Sequence, residues 1–577
     1  MVAFRRQRWG YCCALLALLL VRGSGAQSNQ THADVTGYIK DSASGEALPF
    51  ANIMLKGTAR GTNTNSDGYF VLVDVALGPQ TLVVRYIGYK TKEVEIKVAA
   101  AAAPAFRIDL ESTLLQVEGV TVTAQSEMLQ ANKQVSQMTF SPRQIASLPS
   151  IGEVDIFRAM QMLPGISGIG DGSSGLYVRG GTPDQNLTLF DGMTIYHVDH
   201  FFGFFSAFNA DAVKDIQIYK GGFPAEYGGR LSSVVNLTGK TGHQSKMRFG
   251  YGVNLLSGNA YFETPLSRWG SFIIAGRRSY TDFIRSPLYD RIYKLMTGDS
   301  NGGAVGGPVR GGDMGGGPGG GRFGNQQAAE FQPSFYFYDL NSKLTLTPSS
   351  RDIISLSLYS GKDNLDKSQD YSNMGLNFRD SNASATLKTN DFTRWGNLGL
   401  SGKWSRQWQN RFHMDLLAAR SRYFSEYDRS SSLSGSTMAP PASGAGNDLR
   451  RSFANATKEE NHVTDISLKS DFDWQVTSAH TLGFGAQATY FQNSYGASRD
   501  DSVQIFSRNN SSRLHAVYVQ DSWKYKFAQL TLGVRSSRYD KTGQWYQEPR
   551  ADFSLALTPK WSRSEEHTSE LQSPNTT

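Results

Sequence analysis

From about residue 245 onward, apolar and polar positions alternate with a period of two. Ile466, Leu468, Phe472 and Trp474 alternate with Ser467, Lys469, Asp471 and Asp473, and Leu482, Phe484, Ala486, Ala488 and Tyr490 with Gly483, Gly485, Gln487 and Thr489. Leu398, Leu400 and Trp404 face Gly399, Ser401 and Lys403 in the same way, and Phe412, Met414, Leu416 and Ala418 resume after the turn Trp408–Arg411. Side chains on a strand point to opposite faces in turn, so this period predicts strands with one apolar and one polar face. A soluble sandwich has such strands too. Three features favour a transmembrane antiparallel barrel over 244–562 instead. Strands pair through short turns (Thr347–Asp352, Val476–His480). Long polar stretches at 285–332, 362–391, 427–460 and 495–512 separate the pairs. Aromatics gather near strand ends, as in Tyr423-Phe424, Tyr490-Phe491 and Trp523 with Tyr525. About twelve strands are expected there. The stretch 302–324 holds 13 Gly in 23 residues, cannot bury a core and reads as an insertion.

The first part of the chain has a different rhythm. Over residues 34–112, short runs of β-formers (VTGYIKD, Phe50–Lys56, Tyr69–Asp74, Thr81–Tyr86, Glu93–Val98) are separated by Ser44-Gly45, Gly57–Gly61, Asp67-Gly68, Gly78-Pro79 and Gly88. Strands at about ten-residue spacing with turn chemistry between them predict an antiparallel sandwich, with Phe106–Leu110 a candidate last strand. An alanine-rich run at 99–105 marks its boundary. Residues 125–243 add a mixed domain. Ile156, Met160 and Leu163 recur at helical spacing before the stop Pro164-Gly165, and β-prone runs follow.

The N-terminus carries an address. Arg5, Arg6 and Arg8 precede the apolar run Tyr11–Val21, and small residues end the segment at Ala26, the pattern of a signal peptide over 1–26. Eleven apolar residues are too few to cross about 30 Å of hydrocarbon as a helix, and no later run is long enough. Any crossing must be by strands. Both cysteines, Cys12 and Cys13, lie in this segment, which excludes a disulfide scaffold or cysteine-based metal site in the exported chain. The net charge of +7 also shrinks there: four arginines belong to residues 1–26, and the remaining 54 bases against 51 acids leave +3. With no basic block, a nucleic-acid partner is disfavoured. No Ser/His/Asp or paired-carboxylate constellation stands out, no cofactor is implied, and the chain is read as a non-enzyme.

Several motifs carry a resemblance. G-Y-I-K-D-x4-G-E-A-L-P-F-A-N-I, G-T-x2-G-T-x-T-N-S-D-G-Y-F and Y-I-G-Y resemble the carboxypeptidase-regulatory-like, transthyretin-like domain. It shows no H-E-x-x-H set, so it reads as a docking module rather than a peptidase. V-R-G-G-T-P-D-Q-N-L and E-Y-G-G-R-L-S-S-V-V-N resemble the plug of TonB-dependent outer-membrane receptors of the Bacteroidetes type, which carry that module in front. The linker 113–124 then resembles a TonB box, with Val117, Val120, Thr121, Val122, Thr123 and Ala124 as a strip able to add to a partner's sheet edge.

The resemblance implies an all-β-dominated chain: sandwich, α+β plug, then part of a transmembrane barrel of about 22 strands when intact. It implies plug roles for Arg179, Gly180, Gly181, Asp191, Gly192, Tyr227, Gly228, Gly229 and Arg230, with Arg179 and Arg230 pairing with acids across the plug–barrel boundary. Tyr196, His197, His200, Phe201 and Phe202 fall in an apical loop suited to substrate contact, and no metal is assigned to the two histidines. The implied function is TonB-dependent uptake of a scarce or large nutrient across the outer membrane of a Gram-negative bacterium, with the front module in the periplasm. Partners would be TonB with its inner-membrane energising complex, outer-membrane lipid, and a small-molecule, glycan or peptide substrate. A surface lipoprotein lid stays open as a further partner. The alternatives are a signalling receptor and a soluble β-sandwich adhesion protein. From Arg563, R-S-E-E-H-T-S-E-L-Q-S lacks alternation and matches the reading-frame translation of a sequencing adapter. Residues 563–577 are therefore expected to be non-native, with about ten barrel strands absent.

Overall fold

The computed structural model describes residues 31–568 except 59, 87, 100–104, 114–136, 142–144, 146–153, 169–174, 202, 285, 298–332, 375–383, 437–450, 501–502, 526–527 and 559–560. The expected signal segment, the expected TonB-box strip Val117–Ala124, the glycine-rich stretch and Phe202 lie outside the described residues.

Two sheets make the front module. β1 (His32–Asp41) sits between β4 (Tyr69–Ala76) and β7 (Phe106–Leu110). Opposite lie β3 (Gly61–Asn63), β2 (Asn52–Leu55), β5 (Gly78–Arg85) and β6 (Lys92–Val98), in that order. β7 runs parallel to β1. Ile39, Ile53, Leu82, Val84 and Leu110 fill the space between the sheets. The Asp41 carboxylate accepts from the backbone N–H groups of Ala43 and Ser44 at 2.8 and 2.7 Å, so it closes a turn.

The plug is a five-stranded sheet ordered β12 (Met193–Thr194), β11 (Asn186–Phe190), β16 (Ser233–Gly239), β15 (Val213–Lys220) and β8 (Gln137–Phe140). Helix α1 (Ile156–Gln161) packs Ile156, Phe157 and Met160 onto it, and the helix gives way to the expected Pro164-Gly165 turn, where Gly165 takes φ 78°. Short pairs β9 (Ile166–Ser167) with β10 (Tyr177–Val178), and β13 (Asp199–His200) with β14 (Phe205–Ser206), complete the domain.

The remainder is one antiparallel sheet curved around the plug. Thirteen strands follow in series: β17 (Arg248–Val253), β18 (Ser257–Pro265), β19 (Gly270–Ser279), β20 (Ser334–Ser349), β21 (Asp352–Asp366), β23 (Ser384–Gln409), β24 (Phe412–Ser436), β25 (Arg451–Gln475), β26 (His480–Arg499), β27 (Val503–Tyr525), β28 (Ala528–Tyr539), β29 (Trp545–Thr558) and β30 (Trp561–Thr568). β22 (Gln369–Met374) pairs with β23 alone, and helix α2 (Pro287–Thr297) sits in the β19–β20 connection. Inner positions Asp339, Asn341, Lys343 and Thr345 are buried against the plug, whereas Leu340, Leu356, Leu400 and Leu468 face outward and exposed.

The strands extend further than expected. Much of the polar stretches 362–391, 427–460 and 495–512 is strand: β24 runs on to Ser436, and β26 and β27 leave only 500–502 between them. Where both faces of a ribbon meet water, side-chain alternation disappears while backbone pairing continues, so period two underestimates strand length. The polar run from Arg563 also takes strand conformation, pairing with β29 as far as Arg550↔Thr568. Ladder hydrogen bonds at a sheet edge make no demand on alternation.

Candidate functional site

The plug meets the barrel wall along a polar seam, and the apical hairpin β13–β14 is its upper part. Asp155 caps α1 by accepting from Arg158 N at 2.9 Å, and its other oxygen accepts from Ser206 N at 2.7 Å, tying helix to hairpin. Arg158 donates twice to Phe204 O at 3.1 Å and lies over the Phe204 ring. At the hairpin's tip His200 is sandwiched by the wall: Nδ1 lies 2.6 Å from Asp363 and Nε2 2.7 Å from Asp339. Its ring stacks on Phe337 at 4.4 Å. Arg277 binds the same Asp339 through Nε at 2.7 Å and reaches Ser206 O at 2.8 Å. Burial alone would lower the imidazole's pKa, but the two carboxylates outweigh it and raise it to about 10. With a carboxylate at each nitrogen, His200 is an imidazolium.

This placement corrects the apical-loop reading for two residues. His200 and Phe201 are 1% and 2% exposed, so neither is presented for substrate contact. The aromatic run that suggested an open surface instead forms a core: Phe201 packs on Phe335 at 4.5 Å and Tyr289 at 5.5 Å, with Phe204, Phe205 and Trp395 around it. Tyr196 is tied to the wall, its hydroxyl donating to Asp465 at 2.6 Å. His197 stays partly open, edge-on to Trp395 and beside Tyr423, with Nε2 3.3 Å from Asp199.

Lower on the seam the described ion pairs set wall bases against plug acids: Lys343 meets Asp191 at 2.7 Å, and Lys469 meets Glu226 at 2.9 Å. Arg535 donates to Ala225 O and Glu226 O, and Arg550 to Phe223 O and Pro224 O. Arg230 donates to Gly229 O at 2.9 Å and interacts electrostatically with the wall carboxylate of Asp465. Arg179 takes φ 48° in a turn whose N–H bonds Gly165 O at 3.0 Å. The plug glycines serve close approach. A Cβ on Gly228 would lie 2.4 Å from Arg535 Nε, one on Gly192 2.4 Å from a Leu417 methyl, and one on Gly181 2.3 Å from Ser232 Oγ. Gly180, Gly192 and Gly229 also take positive φ. Tyr227 is buried against Tyr219 with Lys469 over its ring.

The front module closes the end of the sheet that carries the short turns. Arg411 in the β23–β24 turn grips Asp34 with Nε at 2.6 Å and Nη2 at 2.8 Å. Tyr38 OH donates to Ser350 O at 2.8 Å in the β20–β21 turn. Glu46 accepts from Thr241 N, Thr241 Oγ1 and Gly242 N at 2.6, 3.0 and 3.1 Å, where plug passes into barrel. Module, plug and wall together line a partly open cavity of about 700 Å³, bordered by Lys40, Asp67, Lys214, Arg230, Lys403 and Lys469, among others. Sequence reading missed this seam. Asp34, Glu46 and Arg411 look like ordinary turn or surface charges. Asp339 and Asp363 could have been noticed as acids on strand positions whose neighbours on the same face are inward.

With this geometry in place, comparison with known proteins is informative. Residues 35–122 match the CarboxypepD_reg-like domain and residues 130–235 the TonB-dependent Receptor Plug Domain. Two curated proteins of Formosa agariphila, TonB-dependent receptor P26 and TonB-dependent receptor P39, are each 27% identical, over 216 and 204 residues. These alignments cover 35% and 32% of this chain but 20% and 19% of the relatives, so the chain matches about a fifth of their length. Among solved structures, the ferric enterobactin receptor PfeA of Pseudomonas aeruginosa aligns at 17% identity and a TM-score of 0.47, covering 78% of this chain and 63% of that one. The outer membrane transporter YddB of Escherichia coli aligns at 13% and 0.44, covering 73% and 59%.

Proposed function

We propose that this chain, which carries the front module and plug of TonB-dependent receptors, works in TonB-driven uptake of a nutrient across the outer membrane of a Gram-negative bacterium. The observation that carries the proposal is the seam. The plug has its own apolar core, to which the wall contributes Tyr359 and Ala419. The apical hairpin shares an aromatic cluster with the wall, Phe201, Phe204 and Phe205 against Phe335, Phe337 and Trp395, and below it wall and plug are joined mostly by ion pairs and hydrogen bonds of the kind just described. An apolar joint would resist sliding through its whole buried area, whereas each polar contact can be exchanged for water at a net cost of about 1 kcal/mol. A plug held this way can be shifted without unfolding.

The pull would enter at Val117–Ala124. In sequence this strip follows the front module, and the docking of that module on the short turns supports a periplasmic side for it. Three or four main-chain bonds to TonB at about 1 kcal/mol each make a join that transmits force and then releases. The energy comes from the inner membrane, where a charge moved through 100 mV yields about 2.3 kcal/mol. His197, Asp199 and Tyr196 at the plug apex are the proposed substrate-facing groups. The substrate class is a small molecule, glycan or peptide too large or too scarce for passive diffusion. Arg179 and the motif glycines set plug shape rather than touch substrate.

The direct test is to delete 117–124 in the full-length gene and measure capture of a peptide carrying that strip by the TonB periplasmic domain. Uptake-dependent growth should stop while heat-modifiable barrel migration stays normal, and the peptide should be captured. Undiminished growth of the deletion strain would sink the proposal.

A further inference from the structure

We infer that Asp67, His413 and Asp415 form a divalent-metal site that fastens the front module to the barrel wall. Asp67 lies in the turn before β4 of the module, and His413 and Asp415 are inward positions at the start of β24. One ligand atom from each lies within 4.8 Å of the others. His413 Nε2 is 3.2 Å from Asp415 Oδ1 and 3.6 Å from Asp67 Oδ2. A metal bound at about 2.0–2.2 Å from each ligand sets ligand–ligand separations of about 2.8–3.6 Å, the octahedral or tetrahedral edge, so both carboxylate oxygens already stand at metal-ligand spacing from Nε2.

Two further observations point to a cation. Asp67 Oδ2 and His413 Nδ1 are buried and make no hydrogen bond, and Asp415 Oδ1 is met only by the His413 Nε2 contact at 3.2 Å. Buried polar atoms are nearly always paired, and finding these together at one point is unusual. The charge balance agrees. Asp473 stands opposite His413 in the β24–β25 ladder and interacts with it electrostatically. Lys403 is the neighbouring cation, 3.1 Å from Asp415 and 3.6 Å from Asp67. Three carboxylates, one ammonium and a neutral imidazole leave two negative charges. Protonating His413 removes one of them, and a divalent ion removes both. One imidazole nitrogen with carboxylate oxygens suits zinc, iron or manganese in the divalent state better than calcium or magnesium. Because one ligand belongs to the module and two to the wall, the ion would bridge them. The site stands apart from the transport proposal and neither requires the other.

Zn2+ is the probe. The full chain, purified in detergent, stripped with EDTA and given Zn2+, should retain one zinc per chain by elemental analysis, and His413→Ala should retain none. Asp67→Asn alters only a turn of the module and spares the barrel. It should weaken zinc binding by more than the roughly 10–100-fold that loss of an outer-shell partner costs, while leaving heat-modifiable migration unchanged. Zinc should also raise the melting temperature of the module in the unaltered chain but not in Asp67→Asn. A folded chain that retains no zinc, or the same zinc content and affinity in Asp67→Asn, would overturn the inference.

Discussion

His200 of the plug places Nε2 2.7 Å from Asp339 of the barrel wall, with both side chains almost completely buried. The pair binds residues 139 positions apart and is completed by Asp363 on the other side of the ring and by Arg277. The imidazolium titrates at about 10 here, raised by its carboxylates against the effect of burial. In the unfolded chain it titrates near 6.5. A raised pKa stabilises the folded form fully below the unfolded value and is lost as pH rises through the folded one. The plug should therefore be held with constant strength up to about pH 6.5 and progressively less from there to about pH 10. His200→Gln leaves two buried carboxylates without their shared cation and should destabilise the seam by about 3–5 kcal/mol. Protease protection of the plug across pH measures both effects; protection that is flat from pH 6 to 10 in the unaltered chain refutes the first.

Gly228 marks where plug backbone and wall come closest. A Cβ there would sit 2.4 Å from Arg535 Nε, on a fully buried side chain whose other nitrogens hold Ala225, Glu226 and Gln487. Gly228→Ala must displace that guanidinium, at a cost of about 1–3 kcal/mol. Gly229 has φ 78° and nothing within 4 Å, so Gly229→Ala should cost only the backbone strain, about 1 kcal/mol. Thermal unfolding of the two variants should rank them in that order. Equal shifts would mean the Arg535 contact is not tight.

The grip of Arg411 on Asp34 is bidentate but sits near water, with side chains 39% and 17% exposed. Screening holds such a pair to about 0.5–1 kcal/mol despite its geometry. A double-mutant cycle on Asp34→Ala and Arg411→Ala, read from melting of the front module, should give that coupling at low salt. It should fall by half or more in 0.5 M salt. A coupling above about 3 kcal/mol would mean that the site excludes water.

The barrel and sandwich were legible because each strand has one wet and one dry face, and that asymmetry is written at every second residue. It disappears where β24 continues through Arg429–Ser432, polar on both faces, and strand length was underestimated there. The plug motifs drew attention to Gly228, Gly192 and Asp191, since turns and close approaches depend on local chain. The partners of those residues were not legible. Asp191 finds Lys343 and Asp34 finds Arg411 across 152 and 377 positions. No local rule relates such pairs, and any surface acid would look the same. His200 shows the converse error: a histidine among phenylalanines read as an open aromatic loop because its two acids lie on strands read only for their alternation.

The outward face of the sheet yields the last prediction. Ile466 and Leu468 on β25 are 51% and 62% exposed, and Val517 and Val519 on β27 are 53% and 43% exposed. Trp474, lower on β25, closes the apolar band toward the short turns. A soluble sheet with so much exposed aliphatic surface would aggregate, whereas hydrocarbon makes the same positions favourable. Leu468→Arg places a charge inside that band, and the expected destabilisation is about 2–4 kcal/mol when the chain folds into lipid vesicles. The cost depends on the solvent outside, so the same variant in a short-chain detergent that admits water should lose far less. Folding titrations in urea, read by tryptophan fluorescence, compare the two media. An equally small effect in both would place Leu468 against water and argue for a soluble sheet.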